Sequence, residues 1–289
     1  MDGRLRTMAR LRGRRLTRSM TTLVLGGTGK TGRRIASLLT RQGRPVRIGS
    51  RSAQPAFDWD HPQTWDAALD GVHAAYLSFY PDLALPGAAE TVAALVDRAA
   101  ARGVRRLVLL SGRGEPQALV SEDTVRRSGL EWTIVRSSWF NQNFSEGFLL
   151  DAVLSGELAL PVGDAAEPFT DADDIAEVAV AALTDARHAG QTYELTGPRL
   201  LTFADAAAEI AEATGRPLSF VALRPEEFTA VLREHGLPED LGDLFQMITD
   251  GRNASVADGV QRALGRPPRD FAGYARATAA TGVWDVALR

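Results

Sequence analysis

Apolar and polar positions follow two periods along the first half of this chain. Short, nearly continuous apolar runs at residues 23–25, 46–48, 74–78, 106–110 and 132–135 have the length and aliphatic density of buried strands. Between them, apolar residues recur at helical spacing over roughly 30–42, 64–70, 87–102 and 117–128. The stretch from Ala88 to Arg102 carries a long apolar face and stops at Gly103, a natural helix C-cap. Strands that alternate with helices predict an α/β fold, a doubly wound parallel sheet with helices on both faces and right-handed crossovers. A short run, Ala56-Phe57-Asp58, is taken as the third strand, which makes the last three runs the fourth, fifth and sixth.

Past residue 138 the pattern is less regular. Pro168-Phe-Thr-Asp-Ala-Asp-Asp174 leads into a helix over 175–183, with the aspartates placed to cap it. Residues 191–195 form a strand pattern, 203–214 a helix ending at Gly215, and 218–223 an extended run. Helices are expected near 225–235, 239–249 and 256–264. This divides the chain into a leader (1–19), a doubly wound Rossmann core (20–137), and a smaller, mostly helical lobe (138–289) interleaved with the last sheet strands.

The first strand runs into Gly26-Gly-Thr-Gly-Lys-Thr-Gly32 and then directly into a helix. That order suits a dinucleotide-binding βαβ unit: Gly26 for the tight turn, Gly29 for backbone approach to a pyrophosphate, Gly32 for close helix–strand packing. Thr28, Lys30, Thr31 and Arg33 line the same turn, and Arg34 follows. The helix N-terminus offers free N–H groups and the positive end of its dipole. At the end of the second strand an NAD-specific fold places an acid for the ribose 2′-hydroxyl, whereas this chain has Ser50-Arg51-Ser52. A guanidinium between two hydroxyls suits a 2′-phosphate, so NADP(H) is the expected cofactor.

Composition narrows the chemistry. Of 289 residues 45% are hydrophobic and the net charge is −3, as in an ordinary globular enzyme. No cysteine is present, which excludes disulfides, a thiolate nucleophile and zinc–thiolate sites. Lys30 is the sole lysine. Residues 1–19 hold seven arginines and one acid, a local charge of +6 that leaves −9 on the rest. With no apolar stretch behind it, this leader is no secretory signal; it is expected to be a disordered extension or the product of an upstream start, Met20 opening the folded part, rather than a nucleic-acid-binding arm. No run of 18 apolar residues exists, so no membrane span is expected and the cytoplasm is the expected compartment.

Several local sequences together resemble one group: the glycine turn, Ser111-Gly-Arg-Gly114, Ser128-Gly-Leu-Glu-Trp-Thr-Ile-Val-Arg136, Ser138-Trp-Phe-Asn-Gln-Asn-Phe144, Asp171-Ala-Asp-Asp-Ile-Ala176 and Thr196-Gly-Pro198. In order and spacing, over about residues 20–285, they resemble the NmrA-like branch of the atypical short-chain dehydrogenases. The glycine turn with Arg33, and Phe57-Asp-Trp-Asp60 leading to Thr64-Trp65, are similar to the festuclavine/agroclavine dehydrogenase type. That resemblance implies NADPH-dependent reduction of an iminium carbon. The arginine-rich, lysine-poor composition suggests high-GC bacterial coding, so the native substrate need not be an ergot intermediate.

A typical short-chain dehydrogenase uses Tyr-x-x-x-Lys, with tyrosine protonating the forming alkoxide. Tyrosines at 76, 80, 193 and 274 and a lysine confined to the glycine turn cannot build it. Related isoflavone-reductase-type enzymes place a lysine where about Ala118 stands here. Two outcomes fit: a non-catalytic NADP(H) sensor, or reduction of an electrophile that is already activated, an iminium first and a quinone or enone second.

The substrate pocket is expected at the C-terminal strand ends. Tyr80 and Ser111 are the catalytic candidates. Ser78, Phe79, Ser111 and Gly112 are placed along the cofactor, and Asp58 and Trp59 beside its adenine. Tyr80, Trp139, Phe140, Asn141 and Asn143 are the substrate candidates, although large aromatics also serve as core and the asparagines also serve as caps. The aspartates at 171, 173 and 174, without a histidine, are taken as caps and not as a metal site, and the histidines at 61, 73, 188 and 235 as surface or packing residues. The expected partner is a small molecule, with no metal, membrane or nucleic acid, on a monomer or homodimer.

Overall fold

A computed structural model describes residues 20–234, 242, 245–247 and 249–286. The leader 1–19, His235 and most of the expected helix at 239–249 therefore lie outside the described residues. Through the first half the elements are β1 (Thr21–Leu25), α1 (Lys30–Arg41), β2 (Val46–Gly49), α2 (Trp65–Leu69), β3 (Val72–Leu77), α3 (Ala88–Ala101), β4 (Arg106–Gly112), α4 (Ala118–Arg127) and β5 (Glu131–Ser137). There follow α5 (Asn143–Glu146), α6 (Leu150–Ser155), β6 (Glu157–Leu160), β7 (Ala166–Glu167), α7 (Ala172–Thr184), β8 (Gln191–Leu195), β9 (Leu201–Thr202), α8 (Phe203–Thr214), β10 (Ser219–Ala222), α9 (Pro225–Glu234), α10 (Gly259–Leu264) and α11 (Phe271–Ala279).

Six parallel strands form the main sheet in the order β2-β1-β3-β4-β5-β8. Its strands are apolar on both faces because both faces are covered. On one side Leu23, Leu25, Leu107 and Leu109 pack with α3, α4 and the aromatics Phe57 and Trp65. On the other, Val24, Tyr76, Val108 and Val135 pack with Ile35, Leu39 and the apolar side of α7. A separate core gathers Phe144, Phe169, Phe203, Phe271 and Trp284 in the C-terminal lobe.

One expected strand is absent. Residues 56–58 lie in an irregular connection, and β2 is the sheet edge. The apolar run has another cause: Phe57 stacks on Trp65 at 6.2 Å and meets Trp59 edge-on at 5.1 Å, so its side chains cover the sheet instead of extending it. The runs counted above as fourth to sixth are thus β3 to β5.

Local chemistry sets the helix ends. Asp171 accepts the Asp173 N–H at the start of α7, and Gln142 accepts the Ala172 N–H beside it. Thr202 and Asp205 form a reciprocal capping box on α8, which ends at Gly215 in the left-handed region (φ 65°). The three aspartates have three different partners: Asp171 caps, Asp173 binds Arg34, and the fully buried Asp174 binds Arg266 and Arg269. Among the described residues no group of acids and histidines could hold a metal, and no helix is long and apolar enough to cross a membrane.

Candidate functional site

The glycine turn joins β1 to α1 at the C-terminal end of the sheet, beside the point where the strand order reverses between β2 and β3. Gly26 has φ 65°, which a side chain rarely adopts, and a Cβ there would press on Ser78 at 3.3 Å. A Cβ on Gly32 would land on the Gly26 carbonyl oxygen and 2.8 Å from Gly27 Cα. Helix and turn therefore touch backbone to backbone. No side chain caps the first turn of α1, and no acid stands in it. Its leading N–H groups and dipole are left for an anion, which is the fit a dinucleotide pyrophosphate requires.

At the β2 end, Thr28, Ile48, Ser50, Ser52, Ala53 and Gln54 contribute to an open groove of about 620 Å³. Arg51 is exposed on the same turn. Asp58 lies near enough for Arg51 to help lower its carboxyl, though the main cause is the Asp60 N–H that it accepts, followed by His61. Trp59 donates its indole N–H to the Ser78 carbonyl at 3.2 Å and packs on Phe79 at 4.9 Å. The expected adenine corner is thus assembled from the β3 end and the 50–64 connection together.

Not every cation of the turn stands free. Arg33 and Arg34 both bind Glu146 of α5, and Arg34 also binds Asp173. Lys30 packs over Gly147; burial lowers its pKa, Glu146 opposes that, and Arg33 adds to it. Thr31 accepts a 2.9 Å hydrogen bond from Tyr76 Oη, whose pKa burial raises. These side chains pin α1 to β3 and to the C-terminal lobe. Arg51, beside the groove, is exposed.

Tyr80 is 72% exposed on the connection after β3, at the C-terminal strand ends. Ser111 is buried, and its hydroxyl donates to Glu122 at 2.7 Å. Glu122 is wholly buried and also accepts from Arg126 and, through two bonds of 2.7 and 2.6 Å, from Arg136. Ser111 therefore belongs to an ion network beneath the strand ends. A residue that periodicity did not reveal lies next to it: Glu115, whose carboxyl occupies the place where a Cβ on Gly112 would fall. Burial, then Asp82, then Glu122 push its pKa up to about 8. The only sequence signal was its position directly after Ser111-Gly-Arg-Gly114.

The segment after β5 divides its residues. Trp139 joins an aromatic group with Phe203 at 5.3 Å, Phe245 at 5.2 Å and the exposed Phe148 at 6.3 Å. Phe140 packs instead against the sheet core and bridges to Thr170. Asn141 is fully buried with neither amide atom hydrogen-bonded, and Asn143 opens α5 without capping it. Glu167 is 2% exposed and makes no hydrogen bond of full geometry. Burial pushes it up to about 7, against the pull of Arg113 and the Trp139 N–H.

A family model described as NAD(P)H-binding matches residues 26–186, from the glycine turn after β1 through β5 and on past α7. The chain is 34% identical over 284 residues to an NAD(P)H azoreductase of Xenophilus azovorans, covering 89% of this chain and 98% of that protein. It is 32% identical over 280 residues to agroclavine dehydrogenase of Claviceps fusiformis, covering 88% and 96%. In fold it is similar to an NADPH-dependent quinone oxidoreductase of Escherichia coli solved with NADPH, with TM-score 0.73 and 20% identity over 88% of this chain and 98% of that one. With its glycine turn, uncapped α1 and parallel sheet, the chain belongs to the NAD(P)H-binding family.

Proposed function

We propose that this protein is an NADPH-dependent reductase acting on a small, planar, electrophilic secondary metabolite, an iminium first and a quinone or enone second. The observation that carries this reading is the fate of the tyrosines and the one lysine. Tyr76 donates to Thr31, Tyr193 meets His188 at 2.8 Å, Tyr274 donates to Ser145 at 2.7 Å, the exposed Tyr80 has Ala84 and no lysine four positions on, and Lys30 lies against Gly147 in the glycine turn. A Tyr-x-x-x-Lys acid has no place here, so an electrophile already polarised is the better substrate. NADPH, when bound, supplies the hydride. This chain holds the pyrophosphate at α1, places the ribose beside Ser50, Arg51 and Ser52, and presents the Trp139 aromatic group to a planar ring. Agroclavine dehydrogenase and an azoreductase among its relatives support a substrate with a reactive nitrogen.

The test is NADPH oxidation followed by absorbance against cyclic iminium salts, quinones and enones. Turnover of iminium salts ahead of the others is expected. Tight NADPH binding with no turnover of any of them overturns the reductase reading in favour of an NADP(H)-sensing protein. Cofactor choice has its own check in Arg51→Glu. NADPH affinity is expected to fall about 10–100-fold, the value of one charge-assisted hydrogen-bond pair, while NADH affinity barely changes. Equal effects on both cofactors would remove Arg51 from the 2′-phosphate.

A further inference from the structure

We propose that Glu115 is the proton donor to the heteroatom of an uncharged electrophile, above all the nitrogen of a neutral imine. The inference rests on the reductase reading given above and adds to it the acid that the missing tyrosine–lysine pair would have supplied.

Geometry is the first support. Glu115 follows β4, two strands from the glycine-turn strand β1, at the C-terminal edge of the sheet where open α/β folds bind their ligands. Its carboxyl is seated directly over Gly112, the last residue of β4, so that any side chain at Gly112 would collide with it. The connection that carries it is braced on both sides. Arg113 donates to the Asn253 and Ser255 carbonyls at 2.8 and 2.7 Å and reaches Glu194 at 3.2 Å, and Arg252 donates to the Gly114 carbonyl at 3.1 Å. A rigid support of this kind holds a proton donor in place.

Electrostatics is the second support. Asp82, on the connection after the adjacent strand β3, and Glu122 of α4 are the charged groups that press on Glu115, and both are acids. Glu122 is paired with Arg126 and Arg136, and Asp82 is the larger of the two influences. Arg113, the nearest cation in sequence, is turned towards Glu194 and the 253–255 segment. Burial and the Asp82 charge together keep the Glu115 carboxyl protonated at neutral pH, with a pKa of about 8. Glu115 remains partly exposed, so its carboxyl is not sealed off from solvent.

The step balances simply. The C=N π bond breaks; its carbon takes the hydride, with both electrons, given up as NADPH becomes NADP⁺. Its nitrogen takes the Glu115 proton, and solvent reprotonates the carboxylate. An N-alkylated iminium needs no such proton, and this difference makes the inference testable.

The probes are 3,4-dihydroisoquinoline and its N-methyl iminium salt. Glu115→Gln is expected to lower kcat about 100-fold on the neutral imine, the usual worth of a general acid, while turnover of the iminium salt and NADPH affinity hold. Activity on the neutral imine is expected to fall as pH rises through about 8. Asp82→Asn removes the opposing charge, lowers the Glu115 pKa, and moves that fall to lower pH by roughly one unit. A purely structural Glu115 would not produce that shift. Equal losses on both probes, or an alkaline limb unmoved in Asp82→Asn, overturn the proposal while leaving the reductase reading intact. A wild-type protein that reduces neither probe, nor any quinone or enone, overturns both.

Discussion

Alanine at position 32 is expected to weaken NADPH binding at least tenfold and to destabilise the protein, although alanine is the better helix former. Propensity alone predicts a gain of about 1 kcal/mol for Gly→Ala inside a helix. The added Cβ, however, falls on the Gly26 carbonyl oxygen and 2.8 Å from Gly27 Cα, and all these neighbours are backbone. No rotamer change relieves such a contact. Either α1 retreats from the turn or the turn opens, and overpacking of this type costs about 1–3 kcal/mol. Both movements carry the uncapped N–H groups of α1 away from the pyrophosphate. Fluorescence titration with NADPH and thermal unfolding of Gly32→Ala check the two parts. A variant more stable than the parent, with unchanged affinity, would mean that helix and turn are not in contact.

Replacing Arg136 by leucine is expected to cost about 3 kcal/mol and to lower Tm on the order of 10 °C. Glu122 is completely buried, and Arg136 supplies two of its hydrogen bonds. Removing the cation leaves the carboxylate dependent on Arg126 and Ser111. A buried charge that loses its main partner is destabilising even where the intact pair contributes little. Arg127, 82% exposed at its side chain and 3.5 Å from Asp123, is the contrast. Arg127→Leu is expected to change stability by less than about 0.5 kcal/mol, because water already solvates both charges. Equal losses in the two variants would show that burial of Glu122 does not set the cost.

The elements that could be read from the chain alone are those with a local cause. The strand runs at 23–25, 106–110 and 132–135 fall inside β1, β4 and β5 because a strand covered on both faces must be apolar without interruption. Helix α8 lies over Phe203–Thr214, between a Thr202–Asp205 capping box and Gly215, because caps satisfy backbone groups within a few residues of sequence. The run at 56–58 misled because apolar spacing records burial and not its partner: Phe57 and Trp59 are buried against Trp65 and Phe79, not hydrogen-bonded at a sheet edge.

The same distinction divides the site. Gly26 and Gly32 announce the dinucleotide turn in the sequence, since Gly26 must take a positive φ within the turn itself and Gly32 meets the backbone of Gly26 and Gly27 a few residues away. What Ser111, Arg33 and Thr31 do with their polar groups is decided by Glu122, Glu146 and Tyr76, which lie 11, 113 and 45 positions away. Glu115 shows the contrast most plainly. Its identity is one letter in the chain, but its protonation depends on how deeply the strand ends bury it and on a second carboxylate carried by the neighbouring strand's connection. By itself, the sequence determined the cofactor-binding unit, the parallel sheet and the absence of any lysine outside the turn, all matters of local order and residue type. Only the tertiary structure decided which hydroxyls and carboxyls are committed to partners and which are buried beside other acids, because desolvation and charge proximity act through space and leave no periodicity in the chain.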